Sequence, residues 1–321
     1  MKGSYDILVN VARVQFKLTL TRNITVIKGK SATGKTTLIE LIGEYETDGL
    51  ASGVTLSSQR PCVVLSGRDW KAKLDATHES FVFIDEGSAF VRSNEFAAAV
   101  KASDNYYVIA TRDALPGLPY SVEEVYELVN TTSRYPGVRK FYSKTRRMYA
   151  ELPRVERPQT VIVEDSNSGF EFYRALCAKS GIRCIFACGK SNVFSSPLAC
   201  QDGAILVIAD GAAFGPEMEL VFDLARRKGA GLFLPESFEW VVLSSGLVKD
   251  DEVARILDNP ADYIESRENF SWETFFTKEL VSRTASTYLE YHKQKLNAHY
   301  LDERPFRAIA AQVEASGIVG K

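Results

Sequence analysis

Glycine, lysine and threonine recur near the amino end of this chain in a spacing that suits the binding of phosphate. Residues 29–36 fit the pattern G-x-x-x-x-G-K-[ST]. In such a segment backbone N–H groups surround an anion, the lysine neutralises the β- and γ-phosphates of a nucleotide, and the last hydroxyl binds Mg²⁺. The predicted phosphate-binding residues are Gly29, Lys30, Ser31, Ala32, Thr33, Gly34, Lys35, Thr36 and Thr37.

Two acids follow an apolar run farther along the chain. Residues 81–84 are Phe-Val-Phe-Ile, and Asp85 and Glu86 come directly after them. A buried strand would deliver both carboxylates beside a nucleotide, where Asp85 would complete the Mg²⁺ shell and Glu86 would polarise the attacking water. A kinase for small molecules must keep water out, so the glutamate favours hydrolysis over phosphate transfer.

Arg112 follows another apolar run, at residues 106–110, after the intervening Thr111. Its guanidinium would contact the γ-phosphate or stabilise charge in the transition state. The alternative is a surface cation with no catalytic role.

A second set of acids lies in the other half of the chain. Glu164 and Asp165 follow an apolar run at residues 160–163, and Asp210 follows another run 46 residues after Glu164. Acids at the carboxyl ends of neighbouring parallel strands converge on one crevice. Oxygen-rich clusters suit Mg²⁺, and Mg²⁺ suits phosphodiester chemistry.

Two series of short apolar runs predict the strands that must position these residues. The first series predicts buried parallel strands at residues 24–27, 62–65, 81–84 and 106–110. An alternating hairpin is expected before them, at residues 6–11 and 14–20. The second series predicts strands at residues 160–163, 183–187, 204–209 and 231–234.

A charged segment with two prolines, residues 151–158, separates the two series. It predicts a first domain over residues 1–152, an α/β domain over 158–249 and a helical region over 250–321. Within the last region, helical spacing predicts a helix over residues 272–300. The predicted fold class is α/β, with a parallel sheet at the phosphate-binding segment, a second smaller α/β domain and C-terminal helices.

Composition excludes several classes of protein. The chain has 321 residues, a formal net charge of −2 and 45% apolar residues, which excludes a disordered chain, a collagen and a wholly basic coat protein. No run approaches the roughly 18 apolar residues of a membrane span, and the first residues lack the apolar core of a secretion signal. With five cysteines mostly in apolar runs, we expect a cytoplasmic protein with free thiols and no membrane partner.

Residues 134–147 contain cations and aromatic residues but no acid. The cations are Arg134, Arg139, Lys140, Lys144, Arg146 and Arg147. Cations bind phosphate and aromatic rings stack on bases, so this stretch is the predicted nucleic-acid surface. The alternative is a hairpin exposed to solvent, because runs of charged residues commonly lie at the surface in contact with water and bind no partner.

With the segment at 29–36 and the Asp85–Glu86 pair, residues 1–150 resemble a P-loop ATPase. The preceding hairpin is similar to the start of ABC-type ATPases, but Asp85 lies only 50 residues after Lys35, which leaves no room for the helical subdomain of that class. A guanine-reading Asn/Thr-Lys-x-Asp motif is absent from the sequence, so the resemblance implies ATP and Mg²⁺ as cofactors. A protein partner or a homo-oligomer is expected with this minimal core.

The order of Glu164 and Asp210 resembles the Toprim domain, as it occurs beside ATPases in overcoming-lysogenization-defect nucleases and phage-defence systems. That pattern has a glutamate after one strand and Asp-x-Asp after a later one. Here Ala212 takes the place of the second aspartate, for which a downstream glutamate could substitute. The resemblance covers about residues 160–245 and implies a Mg²⁺-dependent nuclease, coupled to the ATPase, in defence against phage or foreign DNA.

Two other functions stay open at this point. The second domain could be catalytically inactive and act as a sensor or bind a partner, which the missing aspartate favours. The first domain could be a small-molecule kinase, which Glu86 disfavours. The predicted catalytic residues are Lys35, Glu86, Arg112, Glu164 and Asp210, and the predicted metal ligands are Thr36, Asp85, Glu164 and Asp210.

Overall fold

A computed structural model describes residues 1–29, 33–132, 140–165, 167–193 and 203–314. The chain divides into two compact units. The first unit comprises Met1–Tyr149 and Ala261–Phe270, and the second comprises Ala150–Pro260 and Ser271–Lys321. Each unit combines a sheet with helices, which confirms the α/β class predicted from the sequence.

The first unit is built on one mixed sheet. Its strands are β1 (Tyr5–Asn10), β2 (Val14–Leu20), β3 (Ile24–Lys28), β4 (Thr55–Ser57), β5 (Cys62–Val64), β6 (Phe81–Ile84), β7 (Tyr106–Ala110), β8 (Val125–Thr132) and β9 (Phe141–Arg147). Within the described residues they pair in the order β4-β1-β2-β9-β8-β3-β7-β6-β5.

The first sheet is mixed, whereas the sequence predicts a parallel sheet at the phosphate-binding segment with an antiparallel hairpin before it. β3, β7, β6 and β5 pair in parallel as expected, and β8 pairs in parallel with β3 on its other side. However, β1 and β2 form the predicted antiparallel hairpin within the same sheet, and β8 and β9 form a second antiparallel pair. Sequence patterning missed β9 because charged and aromatic side chains occupy its exposed positions in place of an apolar run.

Helices cover both faces of the parallel part of this sheet. The helices of the first unit are α1 (Lys35–Asp48), α2 (Trp70–Asp75) and α3 (Asn94–Ala102). Phe81 and Phe83 of β6 pack in a cluster with the apolar side of α1. Val82 and Ile84 pack in a second cluster with α2 and α3, because successive side chains of a strand point to opposite faces. Burial on both faces requires the continuous apolar runs that made these strands predictable.

The register of the parallel strands brings three chain segments to one edge of the sheet. Ile27 of β3 lies opposite Ala110 of β7, and Ile84 of β6 lies opposite Ile109. The residues that follow β3, β6 and β7 therefore emerge side by side. These segments carry the phosphate-binding motif, the Asp85–Glu86 pair and Arg112.

The second unit contains a smaller sheet whose strands are all parallel. They are β10 (Thr160–Val163), β11 (Arg183–Phe186), β12 (Ile205–Ile208) and β13 (Gly231–Phe233). Their order within the described residues is β11-β10-β12-β13. Val163 lies opposite Ile208, so the segments after β10 and β12 emerge together.

The helices of the second unit are α4 (Ser168–Lys179), α5 (Lys190–Val193), α6 (Met218–Lys228), α7 (Phe238–Ser244), α8 (Asp251–Asp258), α9 (Trp272–Thr284) and α10 (Glu303–Val313). Across the described residues of both units, no helix is long and apolar enough to cross a membrane.

The predicted helix over residues 272–300 is wrong in its carboxyl half. Helix α9 ends at Thr284, and Ser286 adopts a positive φ of 60°. The Thr284 hydroxyl accepts a hydrogen bond at 3.0 Å from the backbone N–H of Tyr291. Leu289, Tyr291 and Leu296 are buried beyond the end of α9, and Tyr300 is buried in a separate short 3-10 helix, so the apolar spacing of this stretch reflects tertiary packing and not a continuous helix.

The segment Ala261–Phe270 belongs to the first unit, whereas the sequence places it in the C-terminal helical region. The N–H of Gly3 donates to the Ala261 carbonyl at 2.7 Å, and Nδ2 of Asn23 donates to the Phe270 carbonyl at 2.8 Å. Long-range hydrogen bonds between irregular segments leave no periodic pattern, so the sequence gives no signal for them.

A buried ion pair lies inside the first unit. Glu124 is fully buried and lies 3.6 Å from Nε of Arg22, while the hydroxyls of Thr21 and Thr25 each donate to its carboxylate at 2.9 Å. Burial raises the pKa of Glu124, and Arg22 and the two hydroxyls only partly oppose that effect. The folded protein therefore holds a proton on Glu124 more readily than the unfolded chain does.

We expect Glu124→Gln to change how the stability of this unit depends on pH. Because the folded pKa is raised above 4.5, the cost of the ionised carboxylate is present at neutral pH and is lost as the pH falls toward 4.5. The free energy of unfolding of the wild type should therefore rise relative to that of the variant between pH 7.5 and pH 5. Urea unfolding at both pH values measures this difference, with the exposed Glu95→Gln as control; parallel curves for wild type and Glu124→Gln would contradict the assignment.

Candidate functional site

The phosphate-binding motif connects β3 to α1 through two glycines in unusual backbone conformations. Gly29 and Gly34 have φ angles of 133° and 97°, which side chains larger than hydrogen rarely allow. A Cβ on Gly34 would also lie 3.4 Å from the Phe16 ring. The predicted residues Lys30, Ser31 and Ala32 lie outside the described residues, and Thr37 lies exposed in the first turn of α1.

Lys35 begins α1 with its side chain buried and directed back over the motif. Its Nζ atom donates to the Gly29 carbonyl at 2.7 Å and to Oγ1 of Thr33 at 3.4 Å. Burial lowers the pKa of Lys35, and the neighbouring Glu86 opposes that effect. A poorly hydrated ammonium at this place favours an anionic ligand.

Thr36 and Asp85 meet at the edge of the sheet. Oγ1 of Thr36 donates to Oδ1 of Asp85 at 3.3 Å, and the same oxygen accepts the Glu86 backbone N–H at 2.8 Å. A hydroxyl and a carboxylate at this separation are the oxygen donors that Mg²⁺ accepts when phosphates and water complete its shell. The two predicted metal ligands of the first unit therefore fit the ion.

Glu86 lies between two cations. Its Oε1 is 2.5 Å from Nε of Arg112, and its Oε2 is 3.9 Å from Nζ of Lys35. Residues that are far apart in sequence thus form one cluster at the ends of β6 and β7 and the start of α1. All the predicted catalytic residues of the first half lie in this cluster.

A cleft of about 230 Å³ adjoins Glu86. Its walls come from the end of β7 and from the segments that follow β6 and β7, and include Ser88, Val91, Ile109 and Thr111. The Thr111 hydroxyl accepts the backbone N–H of Asp113 at 3.0 Å, which fixes the turn that carries Arg112. The cleft gives solvent and small groups access to the carboxylate of Glu86.

Sequence reasoning missed one polar neighbour of the motif. Nδ2 of Asn130 in β8 reaches the Thr33 carbonyl at 3.5 Å. The two residues are 97 positions apart, and a single asparagine in a strand carries no sequence signal. Only the pairing of β8 with β3 brings it close.

In the second unit, the parallel pairing of β10 with β12 brings Glu164 and Asp210 to one edge. The backbone N–H of Glu164 donates to the Ile208 carbonyl at 2.9 Å, which extends the pairing to the first acid. Asp165 accepts the N–H of Asn167 at 3.0 Å and so turns the chain into α4. Asp165 therefore has a local structural role at the start of a helix.

Asp210 is surrounded by other acids. Burial raises its pKa well above the ordinary value, and the carboxylates of Glu273, Glu239, Glu164 and Asp165 raise the pKa further. Glu239 comes from α7 and Glu273 from α9, and neither is among the site residues predicted from the sequence, although Glu239 belongs to an acidic segment at residues 235–240. Both lie within helices and not directly after a strand, so the pattern that identified Glu164 and Asp210 does not include them.

A hydrogen-bond network and one lysine hold two of these acids. The Tyr291 hydroxyl donates to Oε1 of Glu239 at 2.8 Å and lies 2.6 Å from the hydroxyl of Ser168. Nζ of Lys293 forms an ion pair with Glu273 and lies 4.0 Å from Oε1 of Glu239. Both acids are therefore fixed in position beside Asp210.

The Tyr173 hydroxyl of α4 is buried and has no hydrogen-bond partner among the residues that the structure describes. Burial raises its pKa, and Asp210, Asp165 and Glu239 contribute to the shift. Across the described ranges, however, no group of three or more His, Cys, Asp or Glu side chains is arranged to hold a metal ion. A Mg²⁺ ion here would be bound through one or two carboxylates and water, and not by a complete protein cage.

Comparison with known proteins gives no relative from which a function could be transferred. No family model, no curated protein and no solved structure matches the chain. Function is therefore inferred from these side chains and their distances.

We expect Asp210→Asn to stabilise the second unit at pH 7 in the presence of EDTA. The substitution removes a half-buried charge beside four carboxylates, which should raise the free energy of unfolding by about 1 kcal/mol. Urea unfolding measures the change. The control is Asp223→Asn, on the exposed side of α6, which should have little effect; a loss of stability in Asp210→Asn would show that the carboxylate is held by favourable contacts.

Proposed function

We propose that the first unit binds ATP with Mg²⁺ and hydrolyses it, as a P-loop ATPase does. One observation carries the proposal: the start of α1 meets the end of β6. Oγ1 of Thr36 is 3.3 Å from Asp85, and Nζ of Lys35 is 3.9 Å from Glu86. A lysine, a hydroxyl and two carboxylates thus face one place at a helix amino end, as binding and hydrolysis of a nucleotide phosphate require.

Each residue has a distinct role in this proposal. Thr36 and Asp85 would hold Mg²⁺, and Lys35 with the backbone of the motif would bind the β- and γ-phosphates. Glu86 would polarise the attacking water from the adjoining cleft. Arg112 would stabilise the charge that develops on the terminal phosphate.

Lys35→Ala should abolish ATP binding and hydrolysis without unfolding the protein. Removal of the ammonium leaves the phosphates without their main cation, so we expect a loss of affinity of about 100-fold or more. Binding of a fluorescent ATP analogue and release of inorganic phosphate measure the two effects. Lys101→Ala, an exposed lysine of α3, is the matched control, and normal hydrolysis by Lys35→Ala would refute the proposal.

Product analysis distinguishes the ATPase from the small-molecule kinase. An ATPase releases ADP and free phosphate, whereas a kinase transfers the phosphate to an acceptor. The presence of Glu86 at the cleft favours water as the acceptor. A phosphorylated small molecule without free phosphate would establish the kinase instead.

For the second unit we propose a Toprim-like effector that cleaves nucleic acid with Mg²⁺. Glu164 and Asp210 follow paired parallel strands, and the excess of acids around Asp210 favours a cation. The alternative is an inactive module that acts as a sensor or binds a partner. That alternative is favoured by Ala212 at the position of the second aspartate and by the incomplete set of metal ligands among the described residues.

Glu164→Gln should abolish cleavage of nucleic acid and leave ATP hydrolysis unchanged. The amide keeps the size of the side chain but removes the charge that a Mg²⁺ ion needs. Nuclease assays with single- and double-stranded DNA, with and without Mg²⁺, measure cleavage, and Asp223→Asn is the control. Cleavage at the wild-type rate by Glu164→Gln would refute the nuclease, and no cleavage by the wild type would favour the inactive module.

The proposed location of the protein is the cytoplasm, and its proposed role is defence against phage or foreign DNA. Its proposed partners are nucleic acid and either another protein or a second copy of this chain.

Of the predicted basic stretch, residues 134–139 lie outside the described residues. In the described part, Phe141 and Tyr142 are exposed, as a stacking surface requires, but Arg146 pairs with Glu127 and Arg147 with Glu123. These ion pairs reduce the positive charge that is available to bind nucleic acid.

The cysteines at 62, 177, 184 and 188 are free, which suits a reducing compartment.

A further inference from the structure

The carboxylate of Glu86 lies beside two cations at once. Each of its oxygens faces a different cation, Oε1 toward Arg112 at 2.5 Å and Oε2 toward Lys35 at 3.9 Å. The two cations come from different segments, the turn after β7 and the start of α1. Glu86 is therefore an anion held between the two groups that are expected to bind a terminal phosphate.

We propose that Glu86 competes with the terminal phosphate for Arg112 and Lys35, so that a nucleoside triphosphate must displace it from both cations. This inference rests on the proposed nucleotide site. It goes beyond that proposal because it assigns Glu86 a role in binding, before any role in hydrolysis.

The burial of Lys35 explains why its ammonium needs an anion of the protein itself, the Glu86 carboxylate, beside it. The side chain of Lys35 is only 5% exposed, so its ammonium is poorly hydrated and requires charged or polar partners. These partners include the Gly29 carbonyl, Oγ1 of Thr33 and the Glu86 carboxylate. The terminal phosphate of a triphosphate carries more negative charge and more acceptor oxygens than one carboxylate, so it can replace Glu86 at both cations.

The side chain of Arg112 is 55% exposed and that of Glu86 is 31% exposed, so both have room to separate. A nucleoside diphosphate lacks the terminal phosphate and would leave the Glu86–Arg112 pair intact. The site would therefore distinguish a triphosphate from a diphosphate by the exchange of one ion pair. Displacement would also free Glu86 to act on water only when a terminal phosphate is present.

This role can be tested without hydrolysis of the nucleotide. The test compares the affinity for a non-hydrolysable ATP analogue with a β,γ-imido bridge with the affinity for ADP. In Glu86→Gln the cations no longer have an internal anion, so the analogue should bind about tenfold more tightly than to wild type. The affinity for ADP should rise by less than about threefold. Calorimetry in the presence of Mg²⁺ measures both ligands on the intact chain.

The chain offers a matched control for each substitution. Arg60 and Glu79 form an ion pair at 2.7 Å next to the amino ends of β5 and β6, at the edge of the sheet opposite the site. Glu79→Gln and Arg60→Gln remove the same charges from the same unit. Neither should change the affinity for either ligand.

The double variant Glu86→Gln/Arg112→Gln distinguishes two effects of Glu86 on the affinity for the analogue. One is displacement of Glu86 from Arg112 by the terminal phosphate, and the other is general repulsion between the carboxylate and the phosphates. If Glu86 competes with the phosphate for Arg112, most of the gain from Glu86→Gln should vanish in the Arg112→Gln background. A gain that persists undiminished there would overturn the inference, as would an unchanged affinity of Glu86→Gln for the analogue.

Lys35→Ala shows whether the displacement role of Glu86 alone is wrong or whether the proposed nucleotide site is wrong as well. If Lys35→Ala loses the analogue while Glu86→Gln binds it as wild type does, the nucleotide site stands and the displacement role is refuted. If the wild type binds neither ligand, both proposals are refuted.

Discussion

Parallel pairing of buried strands is the constraint on which the candidate sites depend. In the first unit, β3 and β6 flank β7 in a register that ends all three strands at one edge of the sheet. The backbone hydrogen bonds between them cannot be exchanged for water, because apolar side chains bury both faces. Whatever residues follow these strands must therefore meet at that edge. Lys35, Asp85, Glu86 and Arg112 meet there for this reason.

The same constraint acts in the second unit with a different balance of charge. The cluster of the first unit contains two cations, Lys35 and Arg112, and two carboxylates, Asp85 and Glu86, whereas Asp210 lies among four other carboxylates with Lys293 beside two of them. Cations at the amino end of a helix suit phosphate, and an excess of acids suits a cation. An excess of like charge costs folding free energy, and such costs are typical of functional sites. The contrast supports the proposed phosphate ligand in one unit and the proposed metal ion in the other.

Several features of the fold could not be predicted because they depend on contacts between distant segments. The strand β9 carries exposed aromatic and charged residues, so its sequence resembles a solvated stretch until β2 and β8 pair with it. Helix α9 ends at Thr284, where the hydroxyl accepts the N–H of Tyr291, and hydrogen bonds from Gly3 and Asn23 tie the segment Ala261–Phe270 to the first unit. Hydropathy patterns record burial along an element, and they do not record which partner buries it.

The sequence by itself determined the strands that consist of apolar runs, the α/β class, the two glycines of the motif and the acids that follow the strands. It could do so because burial on both faces demands apolar runs and because few residues other than glycine tolerate the backbone of the motif. Tertiary structure alone decided that Glu86 contacts both Lys35 and Arg112, and that Glu239, Glu273 and Lys293 surround Asp210. Side chains from separate elements meet only after the strands have paired and the helices have packed, and the spacing of residues along the chain does not encode those distances.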